Sequence, residues 1–468
     1  MGDTILGLPT TKKLDDAGLV FNAYRRRLLR VFPNGGCSIT GLVSMLKGEE
    51  VSDPTFITYA KYWNFPETAT RGTNPLTKTA PSTGDADDGT VATSTETNAT
   101  SGVVYLKVAT TKFFRPGVVI QVGSNNNQYR ITSVTKGVAD ESLLGYVTAN
   151  PVRAVTYTGT QYTAGTKVLA ISTAMGEGAS GTGMTPLGYL KPISWQNQTQ
   201  IFRTPVTFTG SVLQQGAKFD VTGIYQDRCK DQLLEHALQM ETAFLFGKRS
   251  ITTRASFDSS QEDLTVRTTG GIIEQLTLWD AGSTGITIDG ATYAPYNHQS
   301  AQTSDSDDEK RIITNSAGTF TVDSFNTWME RLYRYSTNKT RDRIAFCGSG
   351  AIKAMHTMLR KNGEFEVKLG DEAYGFGFNT IKTPFGNLHF TEHPLFTKMS
   401  NYRNSALIID PNAHRIRPLT GRDTKLLKNR QPNDADYRKD EYLSEVGFEH
   451  LGIETSMLIN NLTTYVQN

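Results

Sequence analysis

FDVTGIYQDRCKDQLLEHALQMETAFLFGKRS, residues 219–250, is the stretch from which the rest of the chain is best read. From Thr222 to Phe246 it holds no proline and is built from good helix formers, which predicts one long helix. Tyr225, Cys229, Leu233, Ala237, Met240 and Phe244 recur at spacings of three and four and so share a face. Leu234, Leu238 and Leu245 widen that face, while Asp227, Lys230, Asp231, Glu235 and Glu241 are expected on a solvated opposite side. Asp220 or Thr222 can cap the start, and Gly247, Lys248 and Arg249 suit the stop. At 1.5 Å per residue the helix spans roughly 38 Å, longer than an ordinary globular helix. Two readings follow: the core helix of an α+β domain, or the spine of an assembling subunit.

The 468 residues suffice for about two to four domains and at least one sizeable core. Apolar residues make up a modest 37%, while Gly (42), Phe (22) and Tyr (19) are abundant, which suits a β-rich protein with many turns. A net charge of +2 gives no bulk electrostatic case for tight nucleic-acid binding. Cys37, Cys229 and Cys347 lie far apart without a CxxC, so disulfide and zinc readings are weak and a reducing compartment fits. No run of about 18 apolar residues predicts a membrane helix. MGDTILGLPTTKKLDDAG lacks a signal-peptide pattern, so no removed leader is expected before Met1.

Residues 1–54 read as an arm. Within it Arg25, Arg26, Arg27 and Arg30 are set among Phe21, Tyr24, Leu28, Leu29 and Val31. That is either an amphipathic stretch with a solvated face or a contact for nucleic acid or a neighbour's acidic surface. Ser38 to Lys47 is a short helix, and Ser52-Asp53-Pro54 ends the arm because the residue before proline avoids the α region. Phe56 to Phe65 (FITYAKYWNF) is aromatic and β-prone, and Pro66, Pro75 and Pro81 then forbid long regular structure. Residues 55–81 therefore read as one leg of an extended loop, and 186–215 as the other. Such a loop buries little of its own surface. Phe56, Tyr59, Tyr62, Trp63 and Phe65, with Trp195, Ile201 and Phe202 on the second leg, are expected to find burial on another subunit.

Between the legs, residues 82–185 read as a β-rich insertion. Its flanks, 82–102 and 173–185, are small and polar. VVYLKVA, GVVIQVG, QYRITSV and KVLAIS are short strands separated by Gly, Asn and Pro turns, which suits a small barrel or sandwich. After the long helix, residues 269–440 mix strands and helices without regular alternation. Asp323 is expected to cap a helix carrying Phe325, Trp328, Met329, Leu332 and Tyr335, while 268–280 reads only as mixed apolar. Residues 441–468 read as one or two final strands returning to the long helix and forming a domain with 216–268. The whole is α+β.

Chemical motifs are weak. Gly176, Gly178, Gly181 and Gly183 spell G-x-G-x-x-G, but Pro186 and Gly188 follow where a phosphate-binding helix would have to start. Asp85, Asp87, Asp88 and Gly89 imitate a calcium loop with the glycine one place early. Asp305 to Glu309 reads as a solvated acidic run. His389 and His393 form the closest histidine pair, on a strand ended by Pro394, where they would diverge. No nucleophile–base constellation stands out, and no cofactor or metal is expected.

The order of parts resembles the tailed-phage major capsid proteins of the Hong Kong 97 type. The match is carried by Asp53-Pro54-Thr55-Phe56, by Gln200-Ile201-Phe202-Arg203-Thr204-Pro205-Val206 and by Phe244-Leu245-Phe246-Gly247-Lys248-Arg249. Phe114-Arg115-Pro116-Gly117-Val118-Val119-Ile120 resembles the β insertion of a subset of these proteins. The resemblance implies a non-enzymatic subunit that forms hexamers and pentamers of an icosahedral shell, assembled in the bacterial host cytoplasm. It implies a peripheral domain (216–268 and 441–468), an axial domain (269–440), and loop legs and an arm that reach neighbours. It also implies contact with portal and with decoration or scaffolding proteins, and non-specific contact with double-stranded DNA, for which Arg25, Arg26, Arg27 and Arg30 are first candidates. Some relatives crosslink a lysine to an asparagine, and no local motif here identifies such a pair. Two other readings stay open: another virion component of the tail or decoration type, and an enzyme with a β accessory module.

Overall fold

The computed structural model describes residues 40–60, 67–71, 75–78, 80, 95–96, 102–109, 111, 114–123, 127–135, 145–153, 155–156, 162–178, 193–214, 224–252, 265–281, 286–288, 291–293, 310–334, 341–362, 367–373 and 376–467. A short helix, α1 (Gly41–Met45), precedes β1 (Thr55–Ala60). Then come β2 (Glu67–Ala69), β3 (Leu76–Thr77), β4 (Val104–Lys107), β5 (Val118–Val122), β6 (Asn127–Thr135), β7 (Tyr146–Pro151) and β8 (Lys167–Thr173). β9 (Ile193–Gln198) and β10 (Gln200–Thr209) lead through α2 (Gly210–Gln214) to the spine helix α3 (Ile224–Phe246). α4 (Ile272–Ala281), β11 (Ile312–Thr314), α5 (Val322–Tyr333), β12 (Asp342–Cys347) and α6 (Ser349–Asn362) follow. Next are β13 (Val367–Ala373), β14 (Phe376–Lys382), β15 (Asn387–Glu392), α7 (Pro394–Lys398) and β16 (Ala406–Ile409). β17 (His414–Pro418), β18 (Lys425–Leu427), β19 (Tyr437–His450) and β20 (Met457–Asn460) complete the main elements.

The spine helix forms where its spacing predicts, but its buried face is rotated. Cys229, Gln232, His236, Met240, Glu241, Phe244 and Leu245 are buried, while Leu233 and Leu234 are 42% and 45% exposed. Glu241, expected in solvent, is fully enclosed. Polar partners brought by other elements overrode the apolar periodicity. The helix stops at Gly247, where a side chain would meet the Ala243 carbonyl at 2.3 Å. Gly271 packs there and donates its N–H to the Gly247 carbonyl at 2.9 Å.

α4 gives the stretch 268–280, read only as mixed apolar, a helix from Ile272 to Ala281. Its Ile272, Leu276 and Trp279 are buried at helical spacing, although the Gly270-Gly271 pair and the β-branched Ile272, Ile273 and Thr277 blur the signal. α5 is capped by Thr321 rather than Asp323: the Thr321 hydroxyl accepts from Ser324 N–H, and Ser324 Oγ accepts from Thr321 N–H.

Three sheets organise the described chain. In the peripheral sheet a two-residue strand, Lys47–Gly48, is followed by β17, β19 and β10, with β18 also on β19. β10 and β19 pair antiparallel from Gln200↔Val446 to Thr209↔Tyr437. The loop legs pair with each other as β1 and β9, from Thr55↔Gln198 to Ala60↔Ile193.

The second sheet runs β2-β8-β5-β6-β7-β4-β3. It closes on itself where Ala109 N–H bonds the Ala69 carbonyl and Arg71 N–H bonds the Lys107 carbonyl. Its core holds Val104, Leu106, Ile120, Val122, Ile131, Val147 and Val168. The sheet begins at Glu67, upstream of the boundary expected at 82, because β2 and β3 supply two of its strands.

The third sheet is mixed, in the order β11-β20-β16-β12-β15-β14-β13. β11/β20 and β12/β15 are parallel. Ile344, Phe346, Leu407, Ile409 and Leu458 point to the spine-helix core. Ala345, Cys347, Ala406, Ile408, Met457 and Ile459 point to the core under α5 and α6. Peripheral and mixed sheets therefore share the spine core among the described residues. Met457–Asn460 sits between β11 and β16 and reaches the spine-helix core, as expected, only through Leu458.

Candidate assembly surfaces around the long strand

The strand β19 is the hub on which the loop legs, the spine helix and three arginine-bearing segments converge. Alternation along a strand sends odd and even residues to opposite faces. The even face meets α3. The Tyr225 hydroxyl donates to Asp440, and Arg438 lies over the Tyr225 ring at 4.5 Å. Ser444 Oγ lies 2.7 Å from His236 Nε2 and donates to Thr424 Oγ1 at 2.8 Å. Thr204 Oγ1 sits 2.9 Å from His236 Nδ1. Ser444 thus accepts from Nε2–H, and His236 is a neutral imidazole whose pKa burial lowers. The rings of Phe244 and Phe448 pack at 5.5 Å. The Ser444–His236 pair superficially resembles a nucleophile and base. Both residues are fully buried, so no substrate reaches them.

The odd face carries Glu441, Glu445 and Glu449, spaced by four and each almost covered. Arg203 grips Glu441 with two bonds of 2.8 Å. Arg422 pairs with Glu445, which also accepts from the Thr199 hydroxyl at 3.2 Å. Arg417 pairs with Glu449 at 2.7 Å, and the Thr58 hydroxyl donates to Glu449 at 2.7 Å. Between the last two glutamates is Gly447. The Phe56 ring occupies the place of its missing side chain, 2.6 Å from an ideal Cβ. Asn197 completes the clamp. Its amide donates to the Gly270 and Phe448 carbonyls at 2.9 and 2.6 Å, and its oxygen accepts from the Gly270 and Gln198 N–H groups.

A second clamp holds the N-terminal side. Glu241 accepts from Leu42 N–H and Val43 N–H, both at 2.8 Å, and its Oε1 lies 3.1 Å from His393 Nε2. His393 Nδ1 accepts from Leu395 N–H at 3.3 Å, so Nε2 carries the proton toward Glu241. His389 instead meets Thr380 at 2.8 Å, so the two histidines separate.

The contact candidates divide. Phe56 and Phe202 are buried within their own chain, against Gly447 and in the spine core, and are not free to meet a neighbour. Trp195 is half-buried with its ring edge-on to His450 at 6.4 Å. Tyr59 and Ile201 are 68% and 49% exposed, and Ile57, which the aromatic pattern passes over, is 50% exposed. Tyr62, Trp63 and Phe65, the four arginines at 25, 26, 27 and 30, and the acidic runs at 85–88 and 305–309 lie outside the described residues. Among the described residues no group of three or more His, Cys, Asp or Glu is placed to hold a metal ion, and no helix is long and apolar enough to cross a membrane.

A family model matches residues 22–463, nearly the whole chain, and the class it defines is the phage major capsid protein. It is the family described as SU10 major capsid protein, and this chain belongs to it. The chain is 24% identical over 263 residues to the major capsid protein of Pseudomonas phage PaMx41. That match covers 56% of this chain and spans about half, 54%, of the relative. Among solved structures, the capsid of a native GTA particle aligns over 97% of this chain and 99% of its own at 10% identity, with a TM-score of 0.42. A Mycobacterium phage Bobi structure aligns over 98% of both chains at 8% identity, with a TM-score of 0.39.

Proposed function

We propose that this chain is a shell-forming major capsid subunit of a tailed double-stranded DNA phage, of the Hong Kong 97 type, with no catalytic role. Copies associate as hexamers and pentamers in the virion capsid, assembled in the host cytoplasm. The observation that carries the reading is the leg hairpin. Its inner face is fastened by Phe56, Thr58 and Asn197, while Ile57 and Tyr59 on its outer face stand free. A hairpin held so firmly, with apolar residues turned away from its own chain, fits a surface for a second copy. The strands from Glu67–Ala69 to Lys167–Thr173 belong to the inserted β module, and the peripheral and axial regions are packed on one shared core. The arm bearing Arg25, Arg26, Arg27 and Arg30 is the part of the chain that meets packaged DNA, and portal, decoration or scaffolding proteins are the further partners.

Sedimentation with negative-stain electron microscopy tests this. The wild-type chain is expected to form shells or rings. The Ile57→Ser/Tyr59→Ser variant is expected to keep its fold and remain as free subunits. A wild-type protein that stays monomeric under assembly-promoting conditions overturns the proposal.

A further inference from the structure

His414 opens β17 and His450 closes β19, and they are register partners in the peripheral sheet. Their rings stack with centroids 4.2 Å apart and planes 30° apart. Both are sealed from solvent. His414 Nδ1 donates to the Asp410 carbonyl at 2.7 Å, which leaves Nε2 as the bare, basic nitrogen without a partner. His450 Nδ1 has no partner, and its Nε2 is 3.4 Å from Ser456 Oγ. The Trp195 ring abuts His450, and the Phe448 ring lies 5.4 Å from His414. The stack thus sits where the leg hairpin, the peripheral sheet and the turn Ile453–Thr455, which leads into β20 of the mixed sheet, come together.

The charged groups around the stack are committed elsewhere. From the segment before β17, the Asp410 carboxylate faces Arg343 at 3.1 Å. From β19, Glu449 is held by Arg417 on the opposite face of the sheet. From β17, Arg415 and Arg417 both reach Glu49. On the turn, Glu454 is buried with interactions of its own. Among the described residues no carboxylate partners a ring nitrogen of either histidine, so a proton arriving on one ring meets no counter-charge there and repels a second on the other.

We propose that the His414–His450 stack is an acid-sensitive joint, at which protonation releases the leg hairpin and the turn into β20 from the peripheral sheet before the subunit unfolds as a whole. Burial drives the His414 pKa down to about 4. His450 is held well below the ordinary value by burial and then by its neighbour. A solvated imidazole takes up its proton near pH 6.5, so opening gains from proton uptake as pH falls below that value. The joint is a property of the subunit and goes beyond the shell reading.

Hydrogen exchange on the full chain, read by mass spectrometry at pH 7.5 and 5.0 and corrected for intrinsic rates, tests it. Peptides covering 193–198, 410–418 and 446–458 are expected to exchange roughly tenfold faster or more at the lower pH, with α6 unchanged. The His414→Phe/His450→Phe variant keeps two stacked rings and is expected to lose that response. Equal corrected rates at both pH values, the same acceleration in α6, or an undiminished response in the double variant would each overturn the joint. If the double variant does not fold, the wild-type profile decides. Exchange at the joint that follows proton uptake between pH 6.5 and 4 supports the proposal, and a flat profile sinks it.

Discussion

Along β19, Tyr442, Val446 and Phe448 turn toward the spine helix, while Glu441, Glu445 and Glu449, one residue out of step, turn away from it. Both faces are dry. The first is dry because apolar rings and one neutral histidine network fill it. The second is dry because long arginine side chains from β10, β17 and the segment before β18 lie over buried carboxylates. The apolar face derives its stability from area removed from water. On the charged face, ion-pair attraction is set against desolvation, so that face contributes position more than stability. It fixes where the leg hairpin lies, through Thr58, Thr199 and Phe56.

The contrast can be broken most sharply at Phe448. Phe448→Ala is expected to destabilise the subunit by about 3–5 kcal/mol in denaturant unfolding, because the cavity lies in the core shared by two sheets. Acid comes next. The folded pKa of His414 lies below its unfolded value, so its contribution is complete above about pH 6.5 and is lost as pH falls toward about 4. That loss is on the order of 3 kcal/mol, and stability measured across this range should show it. Glu241→Gln keeps one oxygen for Leu42 N–H and the His393 N–H but sets an amide donor against Val43 N–H. It should cost about 1–3 kcal/mol and raise exchange at Leu42 and Val43. Arg203→Ala should change stability by no more than about 1 kcal/mol, since Arg203 is 60% exposed and Arg430 still lies 3.7 Å from Glu441. A loss above 3 kcal/mol there would erase the distinction between the two faces.

The spine helix and most strands were legible from the chain because their signals are local: spacing, proline breaks and turn residues. Of the two legs only the inner ends, 55–60 and 193–198, pair with each other; 67–69 and 76–77 join the closed sheet and 200–209 joins the peripheral sheet, partners that the aromatic and proline pattern does not encode. What escaped reading depended on distant partners. Glu241 looks like a solvated charge until Leu42, Val43 and His393 are brought to it. Phe56 looks like a free aromatic until Gly447, nearly four hundred residues later, offers a gap the size of its ring. The glutamates at 441, 445 and 449 did carry a signal, because a spacing of four within a strand is one face, but their arginines come from three separate segments. α4 was hidden by the glycine pair just before it, of which Gly271 packs against the Ala243 and Phe244 carbonyls of the spine helix and Gly270 against Glu274, Arg249 and Asn197.

The position of β20 has a consequence for biosynthesis. This strand is made late yet lies inside the mixed sheet, parallel to β11 and antiparallel to β16. A growing chain can complete the closed β module early, since its strands are near neighbours in sequence. It cannot complete the mixed sheet until Met457–Asn460 has left the ribosome, and until then β11 and β16 present open edges. Truncation just before residue 457 should therefore abolish the compact subunit, and a nascent chain cannot present finished surfaces to other copies while it is still being made.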